Sequence, residues 1–259
     1  MKVTYGSYLK VPQLLSLQEP LAEPRQHDEM LFIVIHQVYE LWFKLLLHEV
    51  DRCKTELSAN DLFGAIARFK RLRTVLKTLV EQLDILETMT PLSFLTFRDR
   101  LEAASGFQSA QFRALEFVLG HKRAEMLAHY EEPAERAMLE RRLRERTLVD
   151  HFYDFLAARG AAVPAELRQR DVTQRNEASP GLQPELVRLF KTSPEVAILL
   201  ELMTDFDEGQ QEWRYRHVKM VERTIGNKKG TGGSSGAEYL RRSLFQPVFP
   251  DLWAIRQQL

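Results

Sequence analysis

Residues 28–57 read DEMLFIVIHQVYELWFKLLLHEVDRCKTEL, and this stretch decides the fold. Phe32, His36, Tyr39, Phe43, Leu46 and Val50 recur at alternating steps of four and three, the spacing of one helix face. Leu31, Ile35, Val38, Trp42 and Leu45 widen that face to most of the circumference. A helix apolar nearly all round belongs at the centre of a protein. The polar groups within it (His36, Gln37, Glu40, Lys44, His48, Glu49) are too many for a bilayer span. The expected setting is the core of a soluble helical protein, not a membrane.

The pattern continues outward. Asp61 suits the N-cap of a second long helix running to about Met89. Pro91 opens a shorter helix through Arg100, since proline fits a first turn. Ser105–Gly106 breaks the pattern and Gln108–Leu119 resumes it. Arg123–Gly160 reads as two or three amphipathic helices whose interleaved Arg and Glu mark a solvated face. Arg170–Pro184 is polar, contains Pro180–Gly181, and reads as a surface connection. Ser193–Pro194 starts a third long helix with the stripe Val196, Leu199, Met203, Phe206, Gln210, Trp213, His217 and Met220, ending near Gly226. Ser235 and Glu238 have capping-box spacing for a helix Ala237–Phe245, and a last short helix covers the C-terminus. No stretch alternates with period two. The expected fold class is all-α, a bundle of three to four long helices with short ones around it, forming a single domain over residues 1–259.

Charge and composition exclude several functions. The 36 Lys+Arg balance 36 Asp+Glu, so a general polyanion binder, and with it nucleic acid as a partner, is not expected. A local anion site remains compatible with that balance. The one cysteine, Cys53, rules out an internal disulfide, a Cys-rich zinc module and c-type haem attachment. Residues 1–10, MKVTYGSYLK, hold no apolar run of signal-peptide length, and with the free thiol this points to the cytoplasm. None of the seven histidines sits in HExxH or follows a Glu by three residues, and neither GxSxG nor GxxxxGK[ST] occurs.

Three features carry possible chemistry, each with an ordinary reading beside it. His36 and His217 fall on the apolar stripes of two long helices. Either is a core histidine bonded to a carbonyl, or one ligates a metal while the other lines a pocket; haem needs only one axial histidine and an apolar slot. The loop GNKKGTGGSSG (226–236) holds five of the 12 glycines, plus the hydroxyls of Thr231, Ser234 and Ser235. It is either a cradle for a carboxylate or phosphate, or a flexible turn. Arg98, in TPLSFLTFRDRL (Thr90–Leu101), either captures a carboxylate with its fork or pairs internally with a residue such as Asp99.

Taken together the segments resemble one family. TYGSYL (Thr4–Leu9), HDEMLFIVIHQVYELWFK (His27–Lys44), ETMTPLSFLTFRDRL (Glu87–Leu101), ASGFQSAQFR (Ala104–Arg113), WRYRHVKMVERTIGNKKGTGGSSGAEYL (Trp213–Leu240) and FPDLW (Phe249–Trp253) are similar, in the same order, to tryptophan 2,3-dioxygenases. The resemblance implies a haem b enzyme, a homotetramer that oxidises L-tryptophan with O2 to N-formylkynurenine. It makes His217 the axial ligand of the haem iron and His36 the catalytic histidine that meets the indole N–H. It lines the substrate site with Phe32, Ile33, Val34, Ile35, Phe94, Arg98 and Thr231, Arg98 clamping the carboxylate. It brings Ser105 and Gly106 close to the haem. It assigns residues 1–18 to an arm whose Tyr5 and Tyr8 reach a neighbouring subunit. Two other readings stand beside it: a family member that inserts one oxygen atom into a modified tryptophan, and a non-catalytic helical scaffold.

Overall fold

The protein is described here by a computed structural model covering residues 2–102, 104–231 and 235–259. Two short helices, α1 (Tyr5–Leu9) and α2 (Val11–Leu14), form an N-terminal arm ahead of the long α3 (His27–Ser58). Then come α4 (Leu62–Leu86), α5 (Pro91–Arg98) and α6 (Ala110–Val118). The middle of the chain is α7 (Pro133–Arg144), α8 (Leu148–Ala158), α9 (Ala165–Arg168) and α10 (Gln183–Thr192). The second 32-residue helix, α11 (Pro194–Ile225), precedes α12 (Ala237–Arg241) and α13 (Pro250–Ala254). Single 3-10 turns fill several joints, including Gly106–Gln108. No strand occurs among the described residues, so the fold is all-α.

The three long helices carry the core, with α4 packed between α3 and α11. On α4 the buried residues Leu62, Ala65, Phe69, Leu72, Leu76, Leu79, Leu83 and Leu86 alternate at steps of three and four. That ridge stays on one side of the helix for its whole length. Phe69 meets Phe206 of α11 edge-on at 5.9 Å, and Tyr39 of α3 donates its hydroxyl to the Leu79 carbonyl at 2.6 Å. Asp61 caps α4 as its spacing predicts, accepting from Gly64 N. Cys53 is fully buried, and burial pushes its thiol pKa up, so it acts as a core side chain.

The stripe on α3 divides at its N-terminal end. Ile35 turns into the core, whereas Phe32 and His36, half-buried, and the buried Tyr39 face an internal cavity. Residues 170–184 are pinned to the body at several points, beginning with the ion pair of Arg170 to Asp150 on α8. Asn176 bonds through its amide to the Leu119 carbonyl, and Asp251 accepts from Ser179 N and Gln183 Nε2. The FPDLW segment is held by Asp207 of α11, which accepts from Val248 N, Phe249 N and Trp253 Nε1, each at 2.9 Å. The expected Ser235 capping box does not form. Gly236 is the N-cap of α12, which ends at Arg241, because the chain enters at φ +64°.

Candidate functional site

A cavity of about 270 Å³ is walled by residues of α3, α4, α5, α6, α11, α12 and the glycine loop. Its lining is mostly apolar, including Leu83, Leu86, Met89, Met220, Val221 and Ile225. Both histidines singled out from the sequence face it, together with Phe32, Phe94, Arg98, Ser105, Gly106 and Thr231.

His36 is fixed in one tautomer. Its Nδ1 lies 2.7 Å from the Phe32 carbonyl, one helical turn back. A carbonyl oxygen only accepts, so Nδ1 carries the proton and a neutral ring leaves Nε2 as a lone-pair acceptor. Burial lowers the His36 pKa, outweighing the Phe32 carbonyl and Glu40, which both favour the charged form. The ring packs 4.1 Å from Phe32, and Phe32 packs 5.8 Å from Phe94. Phe97, wholly buried, stands behind both rings at 5.6 and 5.4 Å and holds this aromatic wall in place.

His217 is prepared differently. Its imidazole stacks on Trp213 at 5.2 Å, and Trp213 is itself boxed in by Phe112, Phe43 and Tyr39. Burial, and to a lesser degree His36, lowers its pKa to about 4, so the ring is neutral at pH 7. Its accessible surface is cavity wall. No hydrogen bond to the ring is formed among the described residues, which leaves a nitrogen lone pair for a ligand. The described residues contain no cluster of three His, Cys, Asp or Glu side chains suited to a metal ion. An imidazole without a hydrogen-bond partner on a largely apolar cavity wall suits an iron that brings most of its own ligands, as haem does, and does not suit a protein-only zinc or di-iron centre. At Gly106 an added Cβ would meet nothing within 4 Å, so the wall is open there.

The charged end of the site joins two segments far apart in sequence. Arg98, half-buried at the end of α5, donates from Nη2 to the Lys229 carbonyl at 2.8 Å. Its Nε has no protein partner, and it makes no ion pair, with Asp99 or otherwise, among the described residues. Thr231 donates its hydroxyl to the Ala104 carbonyl at 2.5 Å. The glycine loop is thus tied to the last residue of α5 through Lys229 and to the segment after α5 through Thr231. At Gly236 a Cβ would lie 2.6 Å from the Lys228 carbonyl, so the loop closes here only with glycine. Ser105 accepts from Phe107 N and caps the turn that carries Gly106. Gly232, Gly233 and Ser234 lie outside the described residues.

Several expected substrate residues are elsewhere. Ile33, Val34 and Ile35 are not on the cavity wall, because each residue turns an α-helix by about 100°. With Phe32 and His36 facing the cavity, Ile35 points into the core and Val34, 38% exposed, points outward. Tyr5 and Tyr8 are 79% and 75% exposed on the arm and do not line the cavity of their own chain. Conversely, Arg113, Glu116, Arg123 and Arg214 line the cavity without having been singled out. Charged residues within the otherwise apolar stretch Gln108–Leu119 and three positions before His217 were the available signal.

The sequence as a whole matches a family model described as tryptophan 2,3-dioxygenase over residues 1–158 and 186–259. The unmatched stretch, 159–185, contains the whole surface connection of residues 170–184. The chain is 55% identical over 257 residues to a tryptophan 2,3-dioxygenase of Herpetosiphon aurantiacus, covering 99% of this chain and 98% of that one. It is 50% identical over 258 residues to that of Anaeromyxobacter sp. (strain K), covering 99% and 96%. It is 43% identical over 264 residues to that of Saccharopolyspora erythraea, covering 100% and 93%.

Proposed function

We propose that this chain, which belongs to the tryptophan 2,3-dioxygenase family, holds one haem b on His217 and opens the indole ring of L-tryptophan at C2–C3 with O2, giving N-formylkynurenine. It is an oxidoreductase, and both oxygen atoms enter the product. The observation that carries the reading is one cavity wall shared by a lone neutral imidazole, a tautomer-locked histidine, an aromatic pair and an arginine with an unpaired Nε.

Each side chain then has a task. Phe32 and Phe94, in contact at 5.8 Å, form one aromatic wall for a flat apolar ring. The Nε2 of His36 accepts the indole N–H, which orients the ring; the indole nitrogen need not lose its proton before attack, so His36 is a hydrogen-bond acceptor and not an obligatory base. Arg98 takes the substrate carboxylate, and Thr231 supplies a hydroxyl at the same end. When bound, the haem supplies the oxygen activation that no protein side chain offers. Ser105 and Gly106 border it. The apolar lining keeps water from the reacting groups.

Residues 1–259 act as one domain, and the assembly is a homotetramer. Met30, Val34 and Leu41 form an exposed apolar stripe on α3 beside the arm, where Gln37 bonds to Gln18 and to the Leu17 carbonyl. That stripe and the exposed Tyr5 and Tyr8 suit burial against a second copy, with residues 1–18 as the exchanging arm. The compartment is the cytoplasm, where a buried free thiol stays reduced, and neither membrane nor nucleic acid is a partner. The test is turnover of L-tryptophan under 18O2 with mass spectrometry of the product. Two labelled atoms per product support the reading; one would move the chain to mono-oxygenation of an indole.

A further inference from the structure

A second polar cluster lines the cavity, and substrate binding as described above does not use it. Glu116 on α6 accepts from Arg113 Nη1 and, at 2.7 Å, from Arg123 Nη2; Arg214 Nη2 of α11 stands 3.7 Å away. Arg123 also donates to the Tyr239 hydroxyl at 3.1 Å, and Arg214 to the carbonyls of Ser243 and Gln246. The side chains of Arg113, Glu116 and Arg214 are 4%, 5% and 5% exposed. Burial pushes the Glu116 carboxyl up, but the three guanidinium groups outweigh it and hold it ionised.

The charges do not balance. Three guanidinium groups share one carboxylate, leaving two positive charges. The next groups outward, Arg175 and Asp207, cancel each other. On the rest of the wall Arg98 offsets Glu40. Uncompensated charge in a buried site is strongly unfavourable, so such a cluster calls for an anion. The Nε groups of Arg113 and Arg214 are buried donors without protein partners. L-tryptophan brings one carboxylate, and Arg98 on another helix meets it. The other cavity occupant, haem b, carries two.

We propose that Arg113, Arg123 and Arg214, organised around Glu116, form the seat for the two propionate carboxylates of the haem and so fix its orientation beside His217. This rests on the haem reading above. Arg214 lies three residues before His217 on α11, less than one helical turn, so one helix brings both the iron ligand and part of the seat to the cavity. Glu116 is a positioning residue: it gathers the guanidinium groups and takes up one of their three charges.

The experiment is a titration of the apoprotein with ferric haem and with its dimethyl ester, which is the same ring without the two negative charges. Binding is followed by the Soret absorbance. The wild type is expected to bind the ester at least tenfold more weakly than ferric haem. Arg123→Gln, at the most exposed member of the cluster, is expected to weaken ferric haem at least fivefold and leave the ester unchanged. Glu116→Gln, which raises the local charge, should preserve or widen the discrimination. A mere folding defect weakens both ligands alike, so equal losses in Arg123→Gln would overturn the seat, as would equal affinity of the wild type for both ligands. If the wild type bound neither, the haem reading itself would fall and the seat with it.

Discussion

Arg98→Ala isolates the carboxylate clamp from the rest of the site. The guanidinium is held by one bond, from Nη2 to Lys229, while Nε is buried without a partner. It therefore has free donors for a forked pair of charge-assisted bonds to a carboxylate. Each is worth about 1.5–3 kcal/mol, and the half-exposed setting favours the lower value, so two bonds amount to about 3 kcal/mol. At about 1.4 kcal/mol per tenfold, kcat/KM for L-tryptophan is expected to fall roughly 100-fold. Steady-state turnover read at the product absorbance measures it. The decarboxylated analogue tryptamine supplies the control. With no carboxylate to clamp, it should be a poor substrate of the wild type and lose nothing further in the variant. Arg98→Lys should fall between the two, keeping charge and losing the fork. A change within twofold for L-tryptophan, or an equal loss for tryptamine, would refute the clamp.

Exchanging the two histidines separates their roles. His217→Ala should lose the Soret band of histidine-ligated haem, and an unaltered ferrous spectrum would remove His217 as ligand. His36→Ala should keep haem and measurable turnover, because one neutral hydrogen bond is worth about 0.5–1.5 kcal/mol, roughly tenfold at most. Complete inactivity with haem and O2 bound would instead make His36 an obligatory base. Far from the site, Gly120→Ala should lower thermal stability. Gly120 sits at φ +98° with a would-be Cβ 1.9 Å from Asn176 Nδ2. A loss of at least about 2 kcal/mol is expected from strain and displacement of Asn176, or about 5 °C in Tm; an unchanged melting curve would refute it.

Much of this architecture was legible because helix periodicity is local. The steps of three and four in α3, α4 and α11 mark their buried faces within one segment of chain, and Asp61 and Pro91 mark helix starts the same way. The glycine content of the loop was legible, and at Gly236 the structure gives one reason for it, a close approach to the Lys228 carbonyl that excludes any side chain. The Ser235 capping box was not, since its spacing is necessary for the motif while the backbone angle at Gly236 decides where the helix begins. Ile33, Val34 and Ile35 show the same limit. Adjacency to His36 in sequence is not adjacency in space once each residue turns the helix by about 100°.

An all-helical chain of this family, with His36, Arg98, Thr231 and His217 as its candidate residues, can be read without coordinates, since each sits in a short motif with its own spacing. What those residues meet depends on how the folded chain brings distant segments together, and the tertiary structure supplies it. The Phe32 carbonyl selects the His36 tautomer, Trp213 backs the His217 ring, and the Lys229 carbonyl rather than Asp99 engages Arg98. It also decided that an overall charge of zero is not neutral everywhere. Arg113, Arg123 and Arg214 converge on the single carboxylate of Glu116 from three segments of chain, and a charge excess created by folding does not appear in a sum over composition.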